Sequence, residues 1–123
     1  QIVEAAKLAE IAKGPVASRW SATGALPNDN AAAGLPNADK IVSNLVSAVA
    51  IEAGAIHVTF GNRASAAILG KTLTLRPAVV EGETIVPVAW VCAAASAPLK
   101  MTLRGVDRSD VASRYLPMNC RPG

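Results

Sequence analysis

The sequence predicts an α+β domain, with one helix laid against an antiparallel sheet. Three observations carry that expectation. Apolar residues near the N-terminus recur with a helical period. Four later segments alternate apolar and polar residues with the period of a strand. The helical and strand segments are separated along the chain rather than interleaved, which favours α+β over a parallel α/β fold. At 123 residues, of which 51% are hydrophobic and only 3% aromatic, the chain has length for one aliphatic, Ala-rich core spanning 1–123. That apolar content excludes a disordered chain. The expected division is helix 1–20, αβ-loop 21–45, sheet 46–92 and a C-terminal region 92–120.

In the helix, Ile2, Val3, Ala6, Leu8, Ala9, Ile11, Ala12, Val16 and Trp20 share helical spacing. Glu4, Lys7, Glu10, Lys13 and Ser18 fall largely on the other side. Glu4–Lys7 and Glu10–Lys13 are favourable i,i+3 pairs. Gly14-Pro15 predicts a kink, because Pro15 removes a backbone donor and crowds the preceding turn. No capping signal precedes Ile2, so the helix reads as the continuation of a longer one. Residues 21–40 hold Gly24, Pro27, Asn28, Asp29, Asn30, Gly34, Pro36 and Asn37, all turn formers. A loop this long in a small domain is usually functional or packed by its own side chains.

Residues 46–51 and 55–60 predict a hairpin turning at Ala53-Gly54. In the second strand Ile56, Val58 and Phe60 share one face. His57 and Thr59 share the other, so His57 is expected to point outward. Residues 71–76 alternate again, with Leu73 and Leu75 opposed to Thr72 and Thr74. Glu81-Gly82-Glu83 turns the chain, and residues 84–92 predict the last strand, with Pro87 at an edge or an irregular start. Beyond it, residues 101–103 predict a short strand and residues 107–113 a turn of helix. A four-stranded antiparallel sheet needs one face covered, and the N-terminal helix is the element available to cover it.

The net charge of +3 is unevenly placed. Acids and bases balance over residues 1–99. The excess sits in residues 100–123, where Lys100, Arg104, Arg108, Arg114 and Arg121 face Asp107 and Asp110. Such a stretch can meet phosphate, anionic lipid or an acidic protein face, or it can pair with its own acids and with neighbouring subunits. Cys92 and Cys120 permit one disulfide; neither belongs to a CxxC pair, so zinc ribbons and thioredoxin-like motifs are excluded. Closing the chain between them contributes roughly 3–4 kcal/mol in the chain-entropy treatment. That staple can serve stability alone or present a recognition loop. His57 is the one histidine; a nucleophile–base pair would need a Ser or Cys close to it in space, and with both Cys expected to be oxidised His57 reads as an exposed strand residue. Glu81 and Glu83 straddle a turn glycine and point to solvent. Gly70-Lys71-Thr72 lacks the upstream glycine of a phosphate loop. Scattered acids and one histidine give no metal-ligand cluster, so neither cofactor nor metal is expected. Trp20 and Trp90 read as core residues. The longest uncharged stretch, residues 84–99, is too short to span a membrane.

Several motifs, taken in order, resemble those of type IV pilins. Gln1-Ile2-Val3-Glu4-Ala5-Ala6-Lys7-Leu8-Ala9 is similar to the stretch following a pilin's membrane helix. Gly24-Ala25-Leu26-Pro27-Asn28-Asp29-Asn30 resembles the opening of the family's αβ-loop. Gly70-Lys71-Thr72-Leu73-Thr74-Leu75 resembles its G-K-x-L-x-L strand. Trp90-x-Cys92 and Tyr115-Leu116-Pro117-x-x-Cys120-Arg121 resemble the two ends of its disulfide-bonded loop.

The resemblance implies a helix packed on a four-stranded antiparallel sheet, flanked by the αβ-loop and a C-terminal region stapled by Cys92 and Cys120. It implies a structural, non-enzymatic subunit of an extracellular filament of Gram-negative bacteria, held in the inner membrane before assembly through an apolar segment upstream of Gln1. It further implies that Ile2, Val3, Leu8 and Ile11 face the filament. The expected partners are other copies of the chain and the assembly machinery. Adhesion to host surfaces, twitching motility and DNA uptake are the expected roles. The alternative is a competence or minor pilin whose Lys100, Arg104, Arg108, Arg114 and Arg121 contact DNA phosphates. The chain departs from the family at Gly14-Pro15, in the apolar stretch 77–87 and at Ala31-Ala32-Ala33, where some members carry hydroxyl residues.

Overall fold

The computed structural model describes residues 2–117 and 120. One helix, α1 (Ile2–Thr23), lies against an antiparallel sheet of β1 (Val46–Glu52), β2 (Ala55–Phe60), β3 (Thr72–Val79), β4 (Ala89–Cys92) and β5 (Thr102–Leu103). The strand order is β1-β2-β3-β4, and the short β5 pairs with β3. Single 3-10 turns occur at Ala38–Lys40 and Ser113–Tyr115. The α+β expectation holds, with β5 as a fifth strand.

α1 turns a stripe of Ala9, Ala12, Val16 and Trp20 inward, all buried and spaced three or four apart. Leu8 packs beside them, whereas Ile11 is 51% exposed. The helix runs continuously through Gly14-Pro15. It also outlasts Trp20: its end is set at Gly24, whose φ of +72° is left-handed and whose N–H donates to the Trp20 carbonyl at 2.8 Å.

The sheet face toward α1 is built from cross-strand rows. Val49 pairs with Val58 and Val58 with Leu73; Ile51 pairs with Ile56 and Ile56 with Leu75. These residues, with Phe60 and Ala9, Ala12 and Val16 of α1, form one core cluster. Removing each Val, Leu, Ile or Phe side chain from water stabilises the fold by about 1.5–3 kcal/mol, and β-branched partners suit the pleated rows. Val111, Leu116 and Cys120 join the same cluster, and Cys120 is disulfide-bonded to Cys92.

Two strand boundaries differ from expectation. β3 continues past Arg76 to Val79, through Pro77. Its pairing with β2 stops at Leu75, so Pro77 sits beyond the end of β2, where its missing N–H breaks no ladder bond to that strand. β4 begins only at Ala89: the Val86 N–H donates to the Glu83 carbonyl at 3.2 Å, so the chain is still turning there and the apolar Ile85, Val86 and Val88 precede the strand. Residues 107–110 are not helical; they run extended beside β3.

The αβ-loop is pinned by Asn30, which is buried. Its amide Nδ2 donates to the carbonyls of Val49 and Pro36, each at 2.9 Å, and its Oδ1 accepts the Ile51 N–H at 2.7 Å. The side chain thus makes the two bonds a further strand would make on the outer edge of β1. Beside it, Asp29 Oδ1 accepts the Ala32 N–H at 2.8 Å, and Arg19 donates to the Ala32 carbonyl at 2.7 Å. Asn30→Ala leaves three backbone groups unpaired at a water-poor site, and is expected to destabilise the fold by about 2–4 kcal/mol. Urea unfolding followed by tryptophan fluorescence measures this; a loss near zero would show that water replaces the amide.

Candidate functional site

After β5 the chain crosses the sheet face opposite α1 as a strap. The Arg104 N–H donates to the Pro77 carbonyl at 2.9 Å. Gly105 then passes so close to β2 that a Cβ there would lie 2.7 Å from the Ala55 Cβ, so no side chain fits without movement. The Arg108 N–H reaches the Thr74 hydroxyl at 3.0 Å, and the Thr74 N–H donates to the Ser109 Oγ at 2.8 Å. Asp110 exchanges two bonds with Thr72, through its N–H and its carboxylate. The strap therefore supplies partners along the N-terminal half of β3, where β4, which begins pairing at Leu75, does not reach.

This strap buries His57. Alternation places the imidazole on the outer face, as expected, but that face is covered and His57 is 7% exposed. The outward expectation was therefore right about the face and wrong about exposure. His57 Nε2 lies 3.0 Å from Glu52 Oε1, and Nδ1 lies 2.7 Å from Thr74 Oγ1. A carboxylate only accepts, so the proton belongs on Nε2. Thr74 Oγ1 accepts from the Arg108 N–H and shares a second hydrogen bond with Nδ1. Arg108 closes the ring: its Nε and Nη2 grip the two Glu52 oxygens at 2.7 and 2.9 Å. This is a bidentate fork, the geometry in which Arg–carboxylate pairs are strongest.

The Arg108 hydrogen bonds, then that from His57, hold the Glu52 carboxyl down from the usual 4.5 to about 2. The same pair raises the Arg108 guanidinium.

The other C-terminal cations are dispersed. Arg104 pairs with Glu81 at 2.9 and 3.2 Å, and its guanidinium lies 6.0 Å from the Trp20 ring centroid. Arg114 stacks over Tyr115 at 4.8 Å, both exposed. Lys100 is exposed, in a left-handed turn. Arg121 lies outside the described residues, as do the side chains of Ile2 and Val3. Arg104 and Arg108 thus take carboxylates from the charge-balanced part of the chain. Asp107 and Asp110, the acids nearest in sequence, bond backbone N–H groups instead.

A cleft of about 340 Å³ opens between the end of α1 and residues 84–88, lined by Ala17, Trp20, Val86 and Pro87 among others. Its lining carries no acid, base or thiol. Trp20 is buried at this point, and its Nε1 has no hydrogen-bond partner among the described residues. Among the described residues, no three His, Cys, Asp or Glu side chains gather as a metal site, and no helix is long and apolar enough to cross a membrane. Sequence reasoning missed the ring of Glu52, His57, Thr74 and Arg108. Its one readable signal was a histidine and a threonine on the same face of adjacent strands.

Compared with known proteins, residues 1–121 match the family model described as pilin, a bacterial filament. No curated protein matches the chain.

Because its folded carboxyl titrates below its unfolded value, Glu52 contributes stability that is complete above about pH 4.5. That contribution is lost as pH falls from there toward 2. Unfolding midpoints across pH 2–7 are expected to fall over this window, and Glu52→Gln is expected to be less stable at pH 7 while losing less on acidification. Parallel curves for wild type and E52Q would contradict this role for Glu52.

Proposed function

The chain belongs to the pilin family of bacterial filament proteins, and from that premise we propose that it is the structural subunit of an extracellular type IV pilus, serving adhesion and twitching motility. The match over nearly the whole chain carries this reading. The chemistry of the domain supports it. The single histidine commits both ring nitrogens to Thr74 and Glu52, leaving neither free as a general base. The cleft beside Trp20 holds no titrating group. The function is polymerisation and display: α1 supports the sheet, and the outer face with its strap is the surface presented. In this reading Ile11, which is exposed as such a contact requires, belongs to the side of α1 turned toward the filament, whereas Leu8, expected there as well, packs against the core. The partners are other copies of the chain, the assembly machinery that lifts them from the inner membrane, and a host surface.

A second reading, a pilin that binds DNA for uptake, rests on the exposed Lys100 and on Arg114 stacked over Tyr115. It is the weaker of the two, because Arg104 and Arg108 are neutralised by Glu81 and Glu52 and phosphate affinity scales with the number of free cations.

Disrupting the gene in the producing bacterium is expected to remove surface filaments seen by electron microscopy, together with surface adhesion and spreading. Filaments undiminished in number would contradict the structural reading. Mobility shifts with duplex DNA across a salt series separate the second reading. Little binding at physiological salt is expected, whereas tight binding abolished by K100E/R114E would favour DNA uptake.

A further inference from the structure

The cleft beside Trp20 has a lining that polymerisation does not use. Its volume of about 340 Å³ falls within the roughly 300–1,000 Å³ of small-ligand sites. One wall is the end of α1, which contributes Ser18, Trp20 and Ser21; the other is the chain from Thr84 to Val88. Three hydroxyls therefore line one space, Ser18 and Ser21 from the helix and Thr84 from the opposite wall. None of the three makes a hydrogen bond among the described residues. Trp20 adds a fourth polar group: it is 3% exposed, and its Nε1–H meets no acceptor. A buried donor left unpaired is costly, and buried indoles usually find a partner. The rest of the lining, Val86 and Pro87 included, is apolar. Among the described residues no charged side chain lines the cleft. The nearby charges are accounted for elsewhere. Arg104, with its guanidinium 6.0 Å from the Trp20 ring centroid, is paired with Glu81. Arg19 donates to the Ala32 carbonyl, and Glu83 is exposed outside the lining.

We propose that this cleft binds a neutral sugar. The sugar hydroxyls bond to Ser18, Ser21 and Thr84, a C–H face of the ring rests on Val86 and Pro87, and one oxygen accepts from the Trp20 indole. A hydroxyl donates and accepts at once, so three of them suit a ligand that is itself a ring of hydroxyls. A phosphate, carboxylate or ammonium group would lose water here without meeting a counter-charge, which disfavours charged ligands. An extended peptide is the other neutral candidate, but residues 84–88 offer it no ladder. The Val86 N–H is already bonded to the Glu83 carbonyl, and Pro87 has no N–H. Nε1 itself is shielded from solvent. Residues 84–88 lie in no strand or helix, and a small outward shift of that wall lets a sugar oxygen reach it. The site belongs to the folded domain and does not depend on the filament reading.

The test is NMR titration of the nitrogen-labelled chain with glucose, galactose, mannose and N-acetylglucosamine, following the Trp20 indole N–H and the backbone amides around the cleft. At least one of these sugars is expected to shift those signals together and saturably. S18A/S21A is expected to weaken that sugar about tenfold or more. Its melting temperature should not fall, because both positions are exposed on the helix and Ala is a good helix former. T84V, which removes the hydroxyl and keeps the side-chain shape, is expected to weaken the same sugar. A blocked trialanine peptide is expected to leave the signals in place. No saturable shift from any of the four sugars would overturn the proposal. So would a sugar response that survives both variants, or one that the blocked peptide reproduces. The titration uses the chain free of filaments, so its result leaves the filament reading to its own experiment.

Discussion

A buried imidazole must find a partner for each nitrogen, and the outer half of this domain is arranged around that requirement at His57. Glu52 and Thr74 come from the strands on either side of β2, and Arg108 arrives from the strap. Each member serves two others. Glu52 accepts from His57 and Arg108, Thr74 joins His57 to the Arg108 backbone, and Arg108 bonds both Thr74 and Glu52. Losing one member strands the remaining groups at a partly dry site, where an unpaired polar group is costly. The strap in turn covers the edge of β3 that β4 leaves bare, so edge protection and burial of the histidine are one structural event.

The opposite edge of the sheet has a parallel solution. Among the described residues β1 has no neighbouring strand on its outer side, and Asn30 replaces one with two hydrogen bonds to β1 while a third ties it to the Pro36 carbonyl of its own loop. Both edges are thus closed by irregular segments, the αβ-loop on one side and the C-terminal strap on the other. That leaves a small aliphatic core, made from α1's Ala-rich stripe and rows of Val, Ile and Leu, closed on its flanks without further strands. In a subunit of a filament, edges capped in this way guard against uncontrolled strand pairing.

Much of this was legible in the residues. β2 spans the residues its alternation indicated, and the hairpin at Ala53-Gly54 follows from composition alone. Alternation assigns a face but says nothing of what later covers it, which is why His57 seemed exposed. Arg108 and Glu52 are 56 residues apart, and no local pattern ties them together. Asn30 looked like one turn former among many, because nothing in its surroundings signals a side chain acting as a strand. Residues 84–88 looked like strand because they are apolar. Pro87 was the correct warning, and the turn from Glu83 outweighed the apolar run. The basic tail was real in the arithmetic, yet Arg104 and Arg108 are answered by Glu81 and Glu52 from the balanced part of the chain.

The ring at His57 joins the hydrogen bonds of Arg104, Ser109 and Asp110 in tying the strap to the sheet. The state of that imidazole tests the account most directly. Nitrogen chemical shifts of His57, read by NMR, are expected to show a proton held on Nε2 in slow exchange with solvent. A protonated Nδ1 beside a bare Nε2, or the averaged shifts of a freely solvated ring, would contradict the account.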